Sequence, residues 1–490
     1  MVAEEVRGKG KRGLLRIIFG RTTFFILFMA LQIAVLAWIY FWLDDRYQAY
    51  GYGAFGLVSA VLAIRILNEK QNASFKMAWL VPVLLFPVFG CLFYIFVQLQ
   101  METKILAKRI ADIRIRTRSY LKQNEAIAAK LMKENRRNAN LSRYLSERAG
   151  YPVYDRTNFK YYPLGDDFFP DLLEELKAAE RFIFLEYFII QRGEMWDSVL
   201  KILEEKAAAG VDVRVLYDGM NSFSNLPHDY PKELEARGVR CRIFNPIRPA
   251  ISTSQNNRDH RKILVIDGHT AFTGGVNLAD EYINRKVRFG EAVKSFTVMF
   301  LQMWSVCAFR PEYDFDYGPF LDTGDHFHSP ALNMDGYSIP FSDSPLDGEP
   351  VGHQVYLDII YQARRYVYIM TPYLILDDDM VTALTYAAKR GVDTVIVMPH
   401  IPDKKYAFML AHSYYPELME AGVKIYEYLP GFIHSKTFVS DDEKAVVGSI
   451  NMDFRSQYLN FECAVYIYKN PVVGDIRADF DETLKKCVRM

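Results

Sequence analysis

The chain is poor in cysteine. Its 490 residues hold five, Cys91, Cys241, Cys307, Cys463 and Cys487. The number is odd and the spacing irregular, which excludes a disulfide framework and a paired-cysteine zinc site. A reducing, cytosol-facing catalytic portion fits this usage. Surplus charge is also lacking, since 59 Lys and Arg stand against 59 Asp and Glu. That balance argues against a general nucleic-acid binder, and no nucleic-acid partner is expected. His, Cys and carboxylate residues form no group with metal-ligand spacing, so neither a metal nor another cofactor is expected. What the chain has in quantity is apolar surface: half of it is hydrophobic and 14% aromatic. The length allows two or three domains.

The apolar residues concentrate near the N-terminus. A tail, 1–21, carries six Lys and Arg, and is followed by 22 uncharged residues from Thr22 to Leu43. At about 1.5 Å per residue such a helix crosses a bilayer, and it is too long for the core of a signal peptide. Met77 to Val97 is a second uncharged run, containing Pro82, Pro87 and Gly90. Proline is tolerated in spanning helices. Between them, 52–67 is apolar but shorter and interrupted by Arg65. The region 22–98 is therefore expected to be transmembrane, with 22–43 and 77–97 as spans and 52–67 incompletely inserted. Residues 99–137 carry eleven Lys and Arg. The positive-inside rule then places both basic flanks, and the catalytic portion, on the cytoplasmic face of a multi-pass membrane protein. The connector 99–150 lacks Pro and Gly until Gly150. It reads as one or two basic helices, either held at anionic lipid head groups or plainly solvated.

One pattern occurs twice in the remainder. His260, Lys262 and Asp267 are followed by Gly274 and Asn277; His434, Lys436 and Asp441 are followed by Gly448 and Asn451. The intervals match throughout. The stretch from each Lys onward is apolar and β-branched, so it reads as a buried strand. On a strand residues i and i+2 share a face, which places each Lys beside its His. Imidazole serves as nucleophile or acid/base near neutral pH, an ammonium binds a phosphoryl oxygen, and the Asn amide adds a donor. Two such units facing one phosphorus suit a two-step displacement in which one His attacks and the other protonates the leaving oxygen.

Around each motif, strands alternate with helices: an α/β fold of two pseudo-twofold-related halves, 151–310 and 346–490, joined by a Pro- and Gly-rich linker, 311–345. The halves differ in one respect. In the second, Asn451 precedes a strand, Leu459 to Tyr468, carrying Glu462; in the first, the position at that spacing is Arg288. A helix is read from Glu291 onward. The first half is thus expected to lack the strand, with a deletion near Gly290.

These residues resemble the phospholipase D superfamily and, within it, the bacterial cardiolipin synthases. The resemblance rests on the paired motifs, on the membrane segments, and on strings such as Tyr217-Asp218-Gly219, Thr371-Pro372-Tyr373 and Asn460-Phe461-Glu462. It implies transfer of a phosphatidyl group between two phosphatidylglycerol molecules, giving cardiolipin and glycerol through a phosphohistidine. By the same resemblance His260 is taken as nucleophile and His434 as acid/base, while Lys262, Lys436, Asn277 and Asn451 bind phosphoryl oxygens. Glu462 matches the carboxylate that orients a catalytic His. Asp267 and Asp441, as part of the motif, join the candidate catalytic set, in structural or catalytic roles. The partners implied are phosphatidylglycerol, other anionic lipids and the bacterial cytoplasmic membrane. The competing readings are a membrane-tethered phosphodiesterase, and a membrane protein disabled by the missing strand.

Overall fold

A computed structural model of the chain describes residues 21–42, 44–99, 101–155, 157–221, 225–247, 253–280, 286–289, 292–322 and 335–490. It forms two compact units, Met1–Leu106 with Ile247–Gln255, and Ala107–Pro246 with Asn256–Met490.

The smaller unit is helical. Arg21–Trp42 is one helix, as the uncharged run implies; Leu43 and the basic tail before residue 21 lie outside the described residues. The next helix is Asp45–Asn68. Among the described residues, its segment Tyr47–Asn68 is the one helix both long and apolar enough to cross a membrane, while Met29–Trp42 and Ala73–Leu85 are shorter apolar helices. The segment expected to insert incompletely thus meets the criterion best, because the helix begins well before the apolar run does. The expected span 77–97 is not one helix. It breaks at Phe86, between Ala73–Leu85 and Pro87–Gln98. The residue before a proline is driven out of the α region, and Phe86 adopts φ −127°, ψ 72°. Leu62, Ala63 and Ile66 pack with Leu80, Val83, Cys91 and Tyr94. Gly90 permits this approach, since a Cβ there would lie 2.1 Å from the Pro82 carbonyl oxygen. Leu57, Val61 and Ile64 stay exposed and form an outward apolar face.

The larger unit holds two sheets of matching topology. In chain order the first half contributes strands β1 (Lys160–Tyr162), β2 (Phe182–Tyr187), β3 (Asp212–Asp218), β4 (Arg240–Phe244), β5 (Arg258–Asp259), β6 (Lys262–Ile266), β7 (Thr270–Thr273) and β8 (Lys286–Phe289). The second contributes β9 (Tyr337–Asp343), β10 (Tyr366–Met370), β11 (Leu374–Ile375), β12 (Asp393–Pro399), β13 (Lys424–Tyr428), β14 (Thr437–Ser440), β15 (Lys444–Gly448), β16 (Met452–Asp453), β17 (Asn460–Tyr468) and β18 (Cys487–Arg489). The first sheet runs β1-β8-β7-β6-β2-β3-β4; in the second, β17-β15-β14-β10-β12-β13 repeats the central order, with β9 beside β17 in the place of β1. In both halves the motif strand lies antiparallel to the central strand, and the next two strands are parallel to it. Helices Glu194–Ala208 and Asp378–Lys389 make the crossovers, each burying one apolar face. The buried strands are continuous apolar runs, as expected of sheets covered on both faces.

Three expectations need correction. The first half does have its strand: β8 pairs antiparallel with β7 and β1, and it precedes Gly290, which lies outside the described residues. Val287 opposes Thr273 as Val465 opposes Val447. Ten positions separate Asn277 from Val287 and fourteen separate Asn451 from Val465, so the connection is four residues shorter. At four residues against nine, β8 is too short for a periodicity signal. The position in register with Glu462 is 284, outside the described residues.

The linker 311–345 is not all loop. β9 pairs with β17 along seven residues despite Pro340. Proline is tolerated on such a strand when its missing N–H points away from the neighbour. Pro340 shares parity with Ser338, whose backbone bonds Tyr154 on the side away from β17.

The connector is not a plainly solvated linker beyond residue 106. Helices Glu125–Glu134 and Arg136–Tyr144, capped by Asn124 and Asn135, dock on the catalytic unit. Tyr466 donates to Asn138, and Tyr144 donates to Glu349 at 2.6 Å.

Candidate active site

The motif strands β6 and β14 each begin just after a histidine. Lys262 and Lys436, first on or next to those strands, fold back so that each ammonium donates to the carbonyl of its own motif histidine, at 2.7 Å for Lys436. The histidines lie just before their strands, so the two-residue spacing acts through these backbone contacts and not through a shared strand face.

The histidines are held across the two halves. β5 pairs in parallel with the start of β17, and the His260 amide donates to the Phe461 carbonyl at 2.9 Å. That pairing brings Glu462 to His260, with Nδ1 2.9 Å from the carboxylate. Reciprocally, His434 Nδ1 lies 2.8 Å from the Gly275 carbonyl oxygen of the first half. A carbonyl only accepts, so Nδ1 of His434 carries the proton and its Nε2 presents a lone pair when the ring is neutral. Phe188 packs against His260 at 4.9 Å between ring centroids, and the Lys262 ammonium sits 5.5 Å from the same ring.

Glu462 is fully buried and supported on both oxygens: Ser449 Oγ donates to Oε2, and Asn460 Nδ2 to Oε1 at 3.2 Å. Ser449 occupies the repeat position of Gly275. One position in the repeat therefore supplies the support of His260's carboxylate in one half and the acceptor for His434 in the other. Neither residue was selected from the sequence; laying the repeats side by side and asking where they differ at the Gly pair exposes both.

Two regions of the chain, residues 172–300 and 356–484, match the family described as cardiolipin synthase, PLD-like domain, and residues 57–98 match the phospholipase D-nuclease N-terminal family. A cardiolipin synthase of Geobacillus kaustophilus is 34% identical over 438 residues, covering 86% of this chain and 85% of that protein. The chain belongs to the cardiolipin synthase family of phospholipase D-like proteins. An uncharacterized protein of Streptococcus mutans is 49% identical over 436 residues, covering 87% of this chain and 93% of the other. A phosphatidylserine synthase crystal structure from Haemophilus influenzae shares the fold, with TM-score 0.53 at 14% identity over 73% of this chain and 92% of that one.

Within this family fold the site is rich in cations and short of anions. Burial drives the His260 imidazole well below its usual range, and Lys262, Lys436 and Lys404 add to the effect. Burial followed by Lys436, Lys262 and His260 does the same to His434. Burial lowers the Lys262 ammonium to about 8 against the pull of Glu462, and holds Lys436 well below its usual value with Lys262 as the next cause. Glu462 is raised to about 7 by burial, opposed by Lys262 and by hydrogen bonds from Ser449, Ser456 and Asn460. An anion between the lysines would restore their protons.

The remaining candidates divide. Asn277 accepts from the Ile189 amide, leaving its NH2 as a donor; Asn451 donates to Ser456 at 3.0 Å. Asp267 and Asp441 lie at the opposite ends of their strands from the histidines. Asp267 accepts from the amides of Glu180, Arg181 and Phe182, and Asp441 from those of Arg364, Arg365 and Tyr366. Each sits at positive φ, 52° and 56°, in a tight turn closing the motif hairpin. Their contacts anchor the start of the central strand. Elsewhere among the described residues, His353, Asp377 and Asp379 gather metal-ligand atoms. There Asp377 lies 3.0 Å from His353 Nε2, accepts from the Tyr458 hydroxyl, and caps the following helix through the Met380 amide.

Proposed function

We propose that this enzyme transfers a phosphatidyl group from one phosphatidylglycerol to another, giving cardiolipin and glycerol. The observation that carries the reading is the crossed anchoring of two His-x-Lys units at one site, with His260 on Glu462 and His434 on Gly275. In the first step His260 Nε2 attacks phosphorus. The bond to the glycerol oxygen breaks, and His434, protonated on Nε2, gives that oxygen its proton. In the second, His434 takes the proton from a hydroxyl of the incoming phosphatidylglycerol, whose oxygen attacks phosphorus and breaks the N–P bond. His260 is the nucleophile in this scheme because phosphorylation of Nε2 with Nδ1 still protonated leaves a cationic ring, and the Glu462 carboxylate that can balance that charge bonds His260. Lys262 and Lys436 offset charge on the non-bridging oxygens, with Asn277 and Asn451 as support. Asp267 and Asp441 act through the fold.

Acceptor choice separates this reading from hydrolysis. The detergent-solubilised chain incubated with phosphatidylglycerol should yield equimolar cardiolipin and glycerol by mass spectrometry, with product lost in His260→Ala and His434→Ala. Phosphatidic acid and glycerol-containing water-soluble products in place of cardiolipin would move the assignment to a phosphodiesterase. Brief acid-free quenching with labelled phosphatidylglycerol should place label on His260; label on His434 reverses the two roles. The disabled-protein reading rested on a missing strand; β8 supplies the strand, though its sequence, Lys286–Phe289, carries no carboxylate.

A further inference from the structure

The helix Lys405–Glu420 has two apolar faces. Ala407, Ala411, Tyr415 and Leu418 are buried against the sheet. Tyr406, Met409 and Leu410 recur at the helical interval on the opposite side and are 67%, 74% and 49% exposed. Ile401, in the turn before the helix, is 53% exposed. A single exposed apolar side chain is ordinary, but a stripe of this kind on a helix already fixed from beneath is not. It is fixed firmly: His412 and Tyr415 both bond the buried Glu427, at 2.9 and 3.0 Å, and Tyr414 donates to the Leu376 carbonyl. The helix therefore has no freedom to roll its outer stripe inward.

The basic start of the helix lies within electrostatic reach of His260. Lys404 and Lys405 begin the helix and are exposed. Lys404 lies 5.3 Å from the Tyr373 ring, and its charge is among those felt by His260. The carboxylates of the helix, Glu417 and Glu420, lie at its far end. Asp403, which precedes the two lysines, accepts from Tyr373 at 2.5 Å. Two lysines, a tyrosine and flexible apolar side chains over three turns form a composition that settles at a phospholipid interface, the lysines at anionic head groups and the apolar groups below them.

We propose that the first three turns of helix Lys405–Glu420, with Ile401 before it, seat the catalytic unit on an anionic phospholipid surface, so that head groups reach the site from the plane of the membrane. This rests on the reading that the substrate is a phospholipid. A protein partner or a second copy would need acidic residues opposite Lys404 and Lys405 as well as an apolar face; a bilayer of phosphatidylglycerol supplies both continuously.

The test uses the full chain in nanodiscs of phosphatidylglycerol and phosphatidylcholine, with the triple variant Tyr406→Ser, Met409→Ser, Leu410→Ser beside it. Turnover of bilayer phosphatidylglycerol should fall by about tenfold or more, while turnover of a short-chain phosphatidylglycerol below its critical micelle concentration stays unchanged. Equal loss on both substrates, or loss on neither, overturns the proposal. A second readout does not need turnover: a phospholipid with a photoactivatable acyl chain should label the 401–413 peptide of the parent chain, and the triple variant should lose that label. Label confined to the N-terminal helices overturns the proposal, as does a parent chain that self-associates through this stripe and a variant that becomes monomeric. Label on 401–413 without turnover of either lipid leaves the docking surface standing and removes the proposed function instead.

Discussion

His260 Nδ1 and the Glu462 carboxylate lie 2.9 Å apart across 202 residues of chain, and they belong to different halves of the repeat. The carboxylate that follows the second motif thus serves the histidine of the first. Glu462 is buried, raised to about 7, and supported by Ser449 and Asn460, so its position is built at some cost in desolvation.

Glu462→Gln keeps shape and most hydrogen bonding but removes the charge that orients His260 and balances the phosphorylated ring. The expected result is a loss of about 100-fold in kcat with an unchanged melting temperature. Rapid-quench measurement should show that formation of the labelled histidine slows with it. An unchanged rate of histidine labelling would leave Glu462 a purely structural residue.

Asp267→Ala and Asp441→Ala should act on stability. Each removes the acceptor of three backbone amides, and each is expected to cost about 2–4 kcal/mol. Thermal unfolding should move down by several degrees, while activity per folded molecule stays within about twofold of the parent. A large fall in kcat at full stability would place these carboxylates in the chemistry.

Gly275 is confined by the site. A Cβ there would lie 2.5 Å from the His434 carbonyl oxygen and 3.2 Å from Lys436 Cδ. Gly275→Ala should therefore displace the second His-Lys unit and lower kcat by about 10- to 100-fold, with a smaller effect on KM. Ser449, at the same repeat position, tolerates a side chain because its hydroxyl is the support of Glu462; Ser449→Ala should resemble a weaker Glu462→Gln.

The pH profile follows from the lysines. Lys262 is lowered to about 8 by burial, so in the free enzyme it loses its proton as pH rises through that value. kcat/KM should fall on the alkaline side near pH 8, and binding of inorganic phosphate at that pH should take up protons. Calorimetry in buffers of different ionisation enthalpy measures the uptake; none, or a release, would contradict the lysine assignment. The nucleophile His260 must be neutral to attack and is held below its usual range, so the acid limb should lie below about pH 6.5.

Much of this protein was legible in the sequence because it depends on short spacing. The two-residue spacing keeps Lys262 and Lys436 at the carbonyls of their own histidines, and the apolar β-branched runs after them are buried strands. The repeat itself announced two halves of one α/β design. Other features depended on contacts between distant segments. β8 was missed because four residues carry no period, and β9 because Pro340 reads as a breaker until the strand is seen to use its other edge. The break at Phe86 turned a hydrophobic run into two helices, a matter of local backbone sterics that hydropathy does not register. Tertiary structure alone decided that Glu462 crosses to His260, that Gly275 crosses to His434, and that the motif aspartates anchor a strand. Spacing along a chain determines which neighbours share a face; the partner of a buried carboxylate is determined by which strands pair, and that choice belongs to the whole fold.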